Sequence, residues 1–128
     1  MRALLDTHSF LWFITGDTRL SHHAHTIIAD FDNEFVLSIA SLWEIGIKVS
    51  LGKLTLLRPF EEIIPAELHK HEIGILPIEF QHLIQIVTLP FHHRDPFDRL
   101  IIAQGLVEGL PIVSADPAFA DYPVKVIW

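Results

Sequence analysis

The chain has 128 residues, half of them hydrophobic, a net charge of −7 and no cysteine, which excludes disulfides and thiolate metal sites and fits one domain over residues 1–128. No apolar run reaches the ~20 residues of a membrane-crossing helix, and Asp6 interrupts the first apolar run, which leaves no signal-peptide core. The acidic balance argues against gripping nucleic acid by a basic surface. The positive mean hydropathy implies apolar surface committed to a second copy or a bound partner chain, and the absence of cysteine fits a cytoplasmic setting, away from any membrane.

Along the chain, short β-like runs alternate with helical ones. Ala3-Leu4-Leu5 reads as a buried strand ending at Asp6. Ser21 caps a helix to about Phe31, and Glu34–Leu37 is a second strand. Ser38 caps a helix to about Leu51, stopped by Gly52. Arg58–Glu72 is helical, with Pro65 either kinking it or starting its second half. Ile73–Ile78 is a strand, and Glu79–Thr88 is a helix with Leu83, Ile86 and Val87 at helical spacing. Pro96 takes the first position of a helix to about Glu108, closed by Gly109. Pro111–Ser114 and Lys125–Trp128 supply the last strands. The pattern predicts an α/β three-layer sandwich, with a central, mostly parallel sheet of about five strands flanked by six or so helices.

Ligand sites of open parallel sheets lie beyond the carboxyl ends of the strands. Asp6 directly follows the first strand and Asp116 closely follows the fourth, while Asp98 and Glu44 lie early in two helices. If the fold gathers them, four carboxylates suit a hard divalent cation such as Mg²⁺ or Mn²⁺. Each acid also has a plainer use. Asp95 can cap the helix begun by Pro96, with Asp98 in its favourable first turn. Glu44 and Lys48 are spaced for an i,i+4 ion pair, and Asp116 can cap a turn before Pro117. Asp6 is the hardest to explain away, because a charge ending a buried strand is costly without a partner.

The words around these acids are specific. They are Leu4-Leu5-Asp6-Thr7-His8 with Leu11-Trp12, then Ser38-Ile39-Ala40-Ser41-Leu42-Trp43-Glu44-Ile45. Next comes the run from His92 to Gln104 containing Asp95-Pro96-Phe97-Asp98-Arg99, and last Val113-Ser114-Ala115-Asp116-Pro117. In this order the chain resembles the PIN-domain family, and most closely its VapC-type toxin ribonucleases. The resemblance implies that Asp6, Glu44, Asp98 and Asp116 are the catalytic acids that hold one or two Mg²⁺ or Mn²⁺ ions. Water would then attack an RNA phosphodiester, leaving a 5′-phosphate and a 3′-hydroxyl. It also implies that Thr7 and Ser114 position water beside the metal and that Asp95 caps the helix or supports the site. Arg94 and Arg99 become the best phosphate contacts, with pairing to Asp95 or Asp98 as their alternative use. A cognate antitoxin and a homodimer are implied as partners.

Other readings fit less well. An aspartyl phosphotransferase needs a second carboxylate two residues after the first, where this chain has His8; a receiver domain needs an aspartate ending its third strand, and Ile73–Pro77 ends without one. A PIN-fold RNA-binding or protein-binding module without nuclease activity remains the serious alternative. Among the nine histidines, His22, His23 and His25 read as solvated, for want of a third converging ligand. His93 lines the site at most. Trp12, Trp43 and Trp128 read as core or interface packing.

Overall fold

The structure is a computed structural model describing residues 1–128. Five parallel strands form the central sheet: β1 (Arg2–Leu5), β2 (Glu34–Ser38), β3 (Gly74–Leu76), β4 (Ile112–Val113) and β5 (Val126–Ile127), in the order β3-β2-β1-β4-β5. Six α-helices connect them: α1 (Thr7–Thr15), α2 (His22–Ala29), α3 (Ile39–Ser50), α4 (Phe60–Lys70), α5 (Phe80–Thr88) and α6 (Pro96–Glu108). A 3-10 turn covers Pro117–Asp121. No helix is long and apolar enough to cross a membrane.

Side-chain alternation along each strand divides the core into two layers. Ala3, Leu5, Phe35, Leu37 and Val113 face one side, where Phe10, Leu11, Ala24, Ile28, Ile45 and Ile64 of α1 to α4 cover them. Leu4, Val36 and Ile112 face the other side and meet Ile101 and Ile102 of α6. This is the sandwich that alternating elements imply.

Three places differ from the sequence expectation. Residues 7–15 carry no assigned element by sequence, yet they form α1, with Asp6 as its N-cap and Gly16 in the left-handed conformation closing it at φ 66°. Pro65 does not start a separate second half: it lies inside one continuous α4, on its exposed side. The third strand is also shorter than expected and stops before Pro77, which has no N–H for a ladder bond.

Helix α6 is buried all round from Arg99 to Gly105, as expected of a helix whose sequence is apolar on every side. It lies so close to β4 that a Cβ on Gly105 would come within 2.8 Å of Ile112 Cδ1 and 3.3 Å of the Leu110 carbonyl oxygen. Helix α5 packs on α6 but contributes just one buried side chain, His82. Its apolar residues are left facing outward: Phe80 is 75% exposed and Val87 83%, and Leu83, Ile84 and the following Phe91 are exposed with them.

The fit at Gly105 sets the seat of the helix that carries Asp98. Gly105→Val is expected to lower stability by about 2–3 kcal/mol through overpacking against Ile112. Urea unfolding measures this; an unchanged midpoint would mean that the two elements are not in contact there.

Candidate active site

Strand order reverses at β1, which lies between β2 and β4. The crevice beyond the carboxyl ends of β1 and β4 is therefore where a parallel sheet opens to receive a ligand. Asp6 leaves the end of β1, Ser114 the end of β4, and α3 and α6 begin nearby with Glu44 and Asp98. The expected acids are brought together. Asp6, Glu44 and Asp95 all act electrostatically on Asp98, and Asp98 and Asp116 share one neighbour, His93.

Local bonds fix each group. Asp6 is buried and accepts the Ser9 backbone N–H at 2.8 Å as the cap of α1. Burial raises its carboxyl above the usual range, and hydrogen bonds from Ser9 and Ser114 offset part of that rise. Glu44 is buried too: Thr7 Oγ1 donates to its Oε1 at 2.8 Å and Lys48 Nζ meets its Oε2 at 2.9 Å. The i,i+4 pair expected by spacing is thus present, with its acid end inside the pocket. Thr7 Oγ1 also lies 2.9 Å from Ser41 Oγ.

Asp95 caps α6, accepting the N–H groups of Phe97 and Asp98 at 2.9 and 3.0 Å. Asp116 caps the 3-10 turn, accepting from Ala118 N at 2.9 Å, while its own N–H donates to Ser114 Oγ at 3.1 Å. Asp98 is half-buried, with its Oδ2 3.1 Å from His93 Nε2. Desolvation, with the charges of Asp95, Glu44 and Asp6 adding and His93 opposing, pushes it up to about 7.

The two arginines part ways. Arg99 is corrected from a phosphate contact to a loop anchor. It is 6% exposed, and its guanidinium donates to the carbonyls of Pro90 (2.9 Å), Leu89 (3.1 Å) and His93 (3.3 Å) while lying 3.9 Å over the Phe91 ring. Such a buried cation cannot turn to a ligand without leaving those carbonyls unpaired. Arg94 is exposed at the rim, and neither arginine pairs with Asp95 or Asp98.

His93 is the side chain that spacing undervalues. Its Nε2 is 2.7 Å from Asp116 Oδ2 and 3.1 Å from Asp98 Oδ2. No periodicity marks a loop histidine as central, so geometry alone reveals it. His22, His23 and His25 are exposed on α2 and form no three-ligand cluster. Trp12 and Trp128 pack edge to face at 6.0 Å against the core. Trp43 is 62% exposed and meets Phe97 at 5.3 Å beside the acids.

The donor set fits a hard divalent cation. It is all carboxylate and hydroxyl oxygen apart from one imidazole, and its acids repel one another in a partly dry pocket with Lys48 as the one cation in contact. Such a fold and pocket belong to the class of α/β proteins that place acids at a sheet's switch point. The PIN-domain family model matches residues 3–125, and the chain belongs to that family. PIN domains are generally nucleases and use divalent metal ions. A sequence comparison with curated proteins finds no match.

Solved structures of similar fold include a VapBC2 complex from Rickettsia felis bound to a promoter DNA fragment (TM-score 0.71, 16% identity, 99% of this chain and 98% of that one). A toxin–antitoxin complex from Klebsiella pneumoniae is also similar (0.68, 16%, 98% and 96%). So is VapBC-5 from Mycobacterium tuberculosis (0.61, 18%, 98% and 95%).

The repulsion at Asp98 carries a stability prediction. Its folded pKa lies above the unfolded value of 3.8, so its favourable contribution is present at low pH and is lost as pH rises towards about 7. Without metal, Asp98→Asn is expected to stabilise the chain by roughly 1–3 kcal/mol at about pH 8 and by much less at about pH 5. Urea unfolding in EDTA at both pH values measures this. An equal effect at both would show that no charge is being held against its neighbours.

Proposed function

We propose that residues 1–128 act as a single PIN domain, a Mg²⁺- or Mn²⁺-dependent endoribonuclease that serves as the toxin of a toxin–antitoxin pair in the cytoplasm. The observation that carries this reading is the convergence of Asp6, Glu44 and Asp95 on Asp98, with Asp116 tied to the same His93. A bound divalent ion would supply a polarised phosphoryl oxygen and a more acidic water. Asp6, Glu44, Asp98 and Asp116 would hold it. Thr7, which fixes Glu44, and Ser114, which bonds Asp6, keep the carboxylates aimed. Arg94 at the rim is the cation left free to meet a phosphate.

Asp6→Asn is well suited to a test, because asparagine caps a helix as well as aspartate does and α1 stays capped. Purified chain freed of any antitoxin is incubated with structured RNA and Mg²⁺ or Mn²⁺. Cleavage is expected, and it falls about 100-fold or more in Asp6→Asn and Asp98→Asn while circular dichroism stays native. Cleavage that survives EDTA or both substitutions would falsify the reading. No cleavage of any RNA by the wild type would favour a binding module.

Two apolar surfaces supply the proposed protein contacts. A groove of about 690 Å³ is lined by Ile39, Leu42, Trp43, Ile47, Phe60 and Ile64, and Trp43, next to Glu44 in the chain, meets Phe97, next to Asp98. An antitoxin segment lying there would reach the pocket with its polar end. The outward face of α5 (Phe80, Leu83, Ile84 and Val87) would meet its own copy across a two-fold axis. Light scattering of the isolated chain is expected to give a dimer, and Val87→Glu a monomer. A monomeric wild type would remove α5 as the self-association surface.

A further inference from the structure

His93 holds an unusual position. It lies on the loop between α5 and α6, and its side chain is 14% exposed. Its Nδ1 accepts the Asp95 backbone N–H at 3.1 Å. A ring nitrogen that accepts an N–H offers its lone pair and carries no hydrogen, so the ring's hydrogen is on Nε2. Nε2 is thus a donor, aimed at Asp116 Oδ2 (2.7 Å) and Asp98 Oδ2 (3.1 Å), and has no lone pair left for a metal.

The surroundings hold the ring in this state. Its backbone N–H donates to Tyr122 Oη at 2.9 Å, and Tyr122 Oη donates to the Pro90 carbonyl at 2.6 Å. Arg99 donates to the His93 carbonyl from below, and the ring packs edge to face on Phe119 at 5.8 Å. The loop therefore comes to the site already folded, with its donor between two carboxylates. Ligand atoms of His93, Asp98 and Asp116 all lie within 4.8 Å of one another. A divalent ion held by Asp98 and Asp116 would compete with the Nε2–H for the same carboxylate oxygens.

We propose that His93 is a latch that competes with a divalent cation for the Asp98–Asp116 edge of the pocket, yields that edge when the ion enters, and is not itself a ligand. This inference rests on the metal-dependent reading above. It differs from the simple expectation that a histidine among carboxylates adds a ligand. The latch holds the two acids close through one N–H until an ion replaces it. The conversion changes the bonding of one ring and leaves its anchors, Arg99 and Tyr122, in place.

The test is calorimetric titration of the full chain with Mn²⁺, for the wild type, His93→Ala and His93→Gln. His93→Ala is expected to bind Mn²⁺ roughly tenfold more tightly, as one donor bond no longer has to be broken. His93→Gln, which keeps a donor, should fall between the two. A second readout needs no substitution: nitrogen NMR of the ¹⁵N-labelled imidazole during Mg²⁺ addition. The hydrogen should stay on Nε2 while its bond to carboxylate is lost. Weaker or unchanged Mn²⁺ binding by His93→Ala overturns the latch, as does a hydrogen moved to Nδ1 with Nε2 bound to metal. If wild type and variants all bind no Mn²⁺, the metal reading itself fails and the latch falls with it.

Discussion

Confining several carboxylates in one partly dry pocket is the constraint around which this molecule is arranged. Taking a charge from water costs several kcal/mol even after relaxation, and like charges at close range add to that. The chain offsets part of the cost locally. Asp6, Asp95 and Asp116 each accept backbone N–H groups at the start of a helical segment, where the aligned peptide dipoles favour negative charge by about 0.3–1 kcal/mol. Glu44 relies instead on Thr7 and Lys48. Asp98 accepts from no backbone N–H, and burial together with the neighbouring charges pushes it up to about 7. A pocket left in that state is a standing cost to the fold, and a divalent cation is the species that would remove it.

The fold supports this cost through α6. Seven consecutive residues of that helix are buried, from Arg99 to Gly105, so its position is set by packing on all sides and not by the groups at its tip. Adjacent residues at its start serve opposite directions. Asp98 turns towards the other acids, while Arg99 turns back to gather the carbonyls of Leu89, Pro90 and His93. The same turn of helix thus places an acid and fixes the loop that brings His93 to it. Loosening Arg99 would disturb the site without removing any group that touches it.

How far the sequence reveals all this depends on whether a residue has one use or two. The strands are legible because their apolar runs are short and end at Asp, Pro or Ser, and α6 is legible from Asp95-Pro96 to Gly109. Helix α1 is not. Its body, Ser9 to Thr15, is rich in aromatic and β-branched residues with weak helix preference, and its cap is Asp6, whose charge invites a metal-site explanation first. Capping and site-building call on the same side chain, so reading the one hides the other. Arg99 misleads in a similar way. Beside two aspartates it looks like a phosphate contact, though the unbroken apolar run Leu100-Ile101-Ile102-Ala103 already signals a helix with no solvated side. His93 leaves no mark in spacing, because its significance comes from a loop geometry that Tyr122, far along the chain, helps to fix.

Net charge is a poor guide to what a surface will accept. The chain has sixteen acidic residues against nine Lys and Arg, which argues against nucleic-acid binding if charge is spread evenly. It is not. Asp6, Glu44, Asp95, Asp98 and Asp116 gather at one crevice, and the rest of the chain is left close to neutral. Exposed apolar residues are concentrated as well, on the α5 face and in the groove that ends at Trp43. A phosphate approaching this crevice meets strong repulsion when the acids stand alone and attraction once divalent cations outweigh them. The acidity is then no objection to a nucleic-acid substrate. On the proposed reading, binding of that substrate would be conditional on the metal, and Arg94 would be the rim cation that needs none.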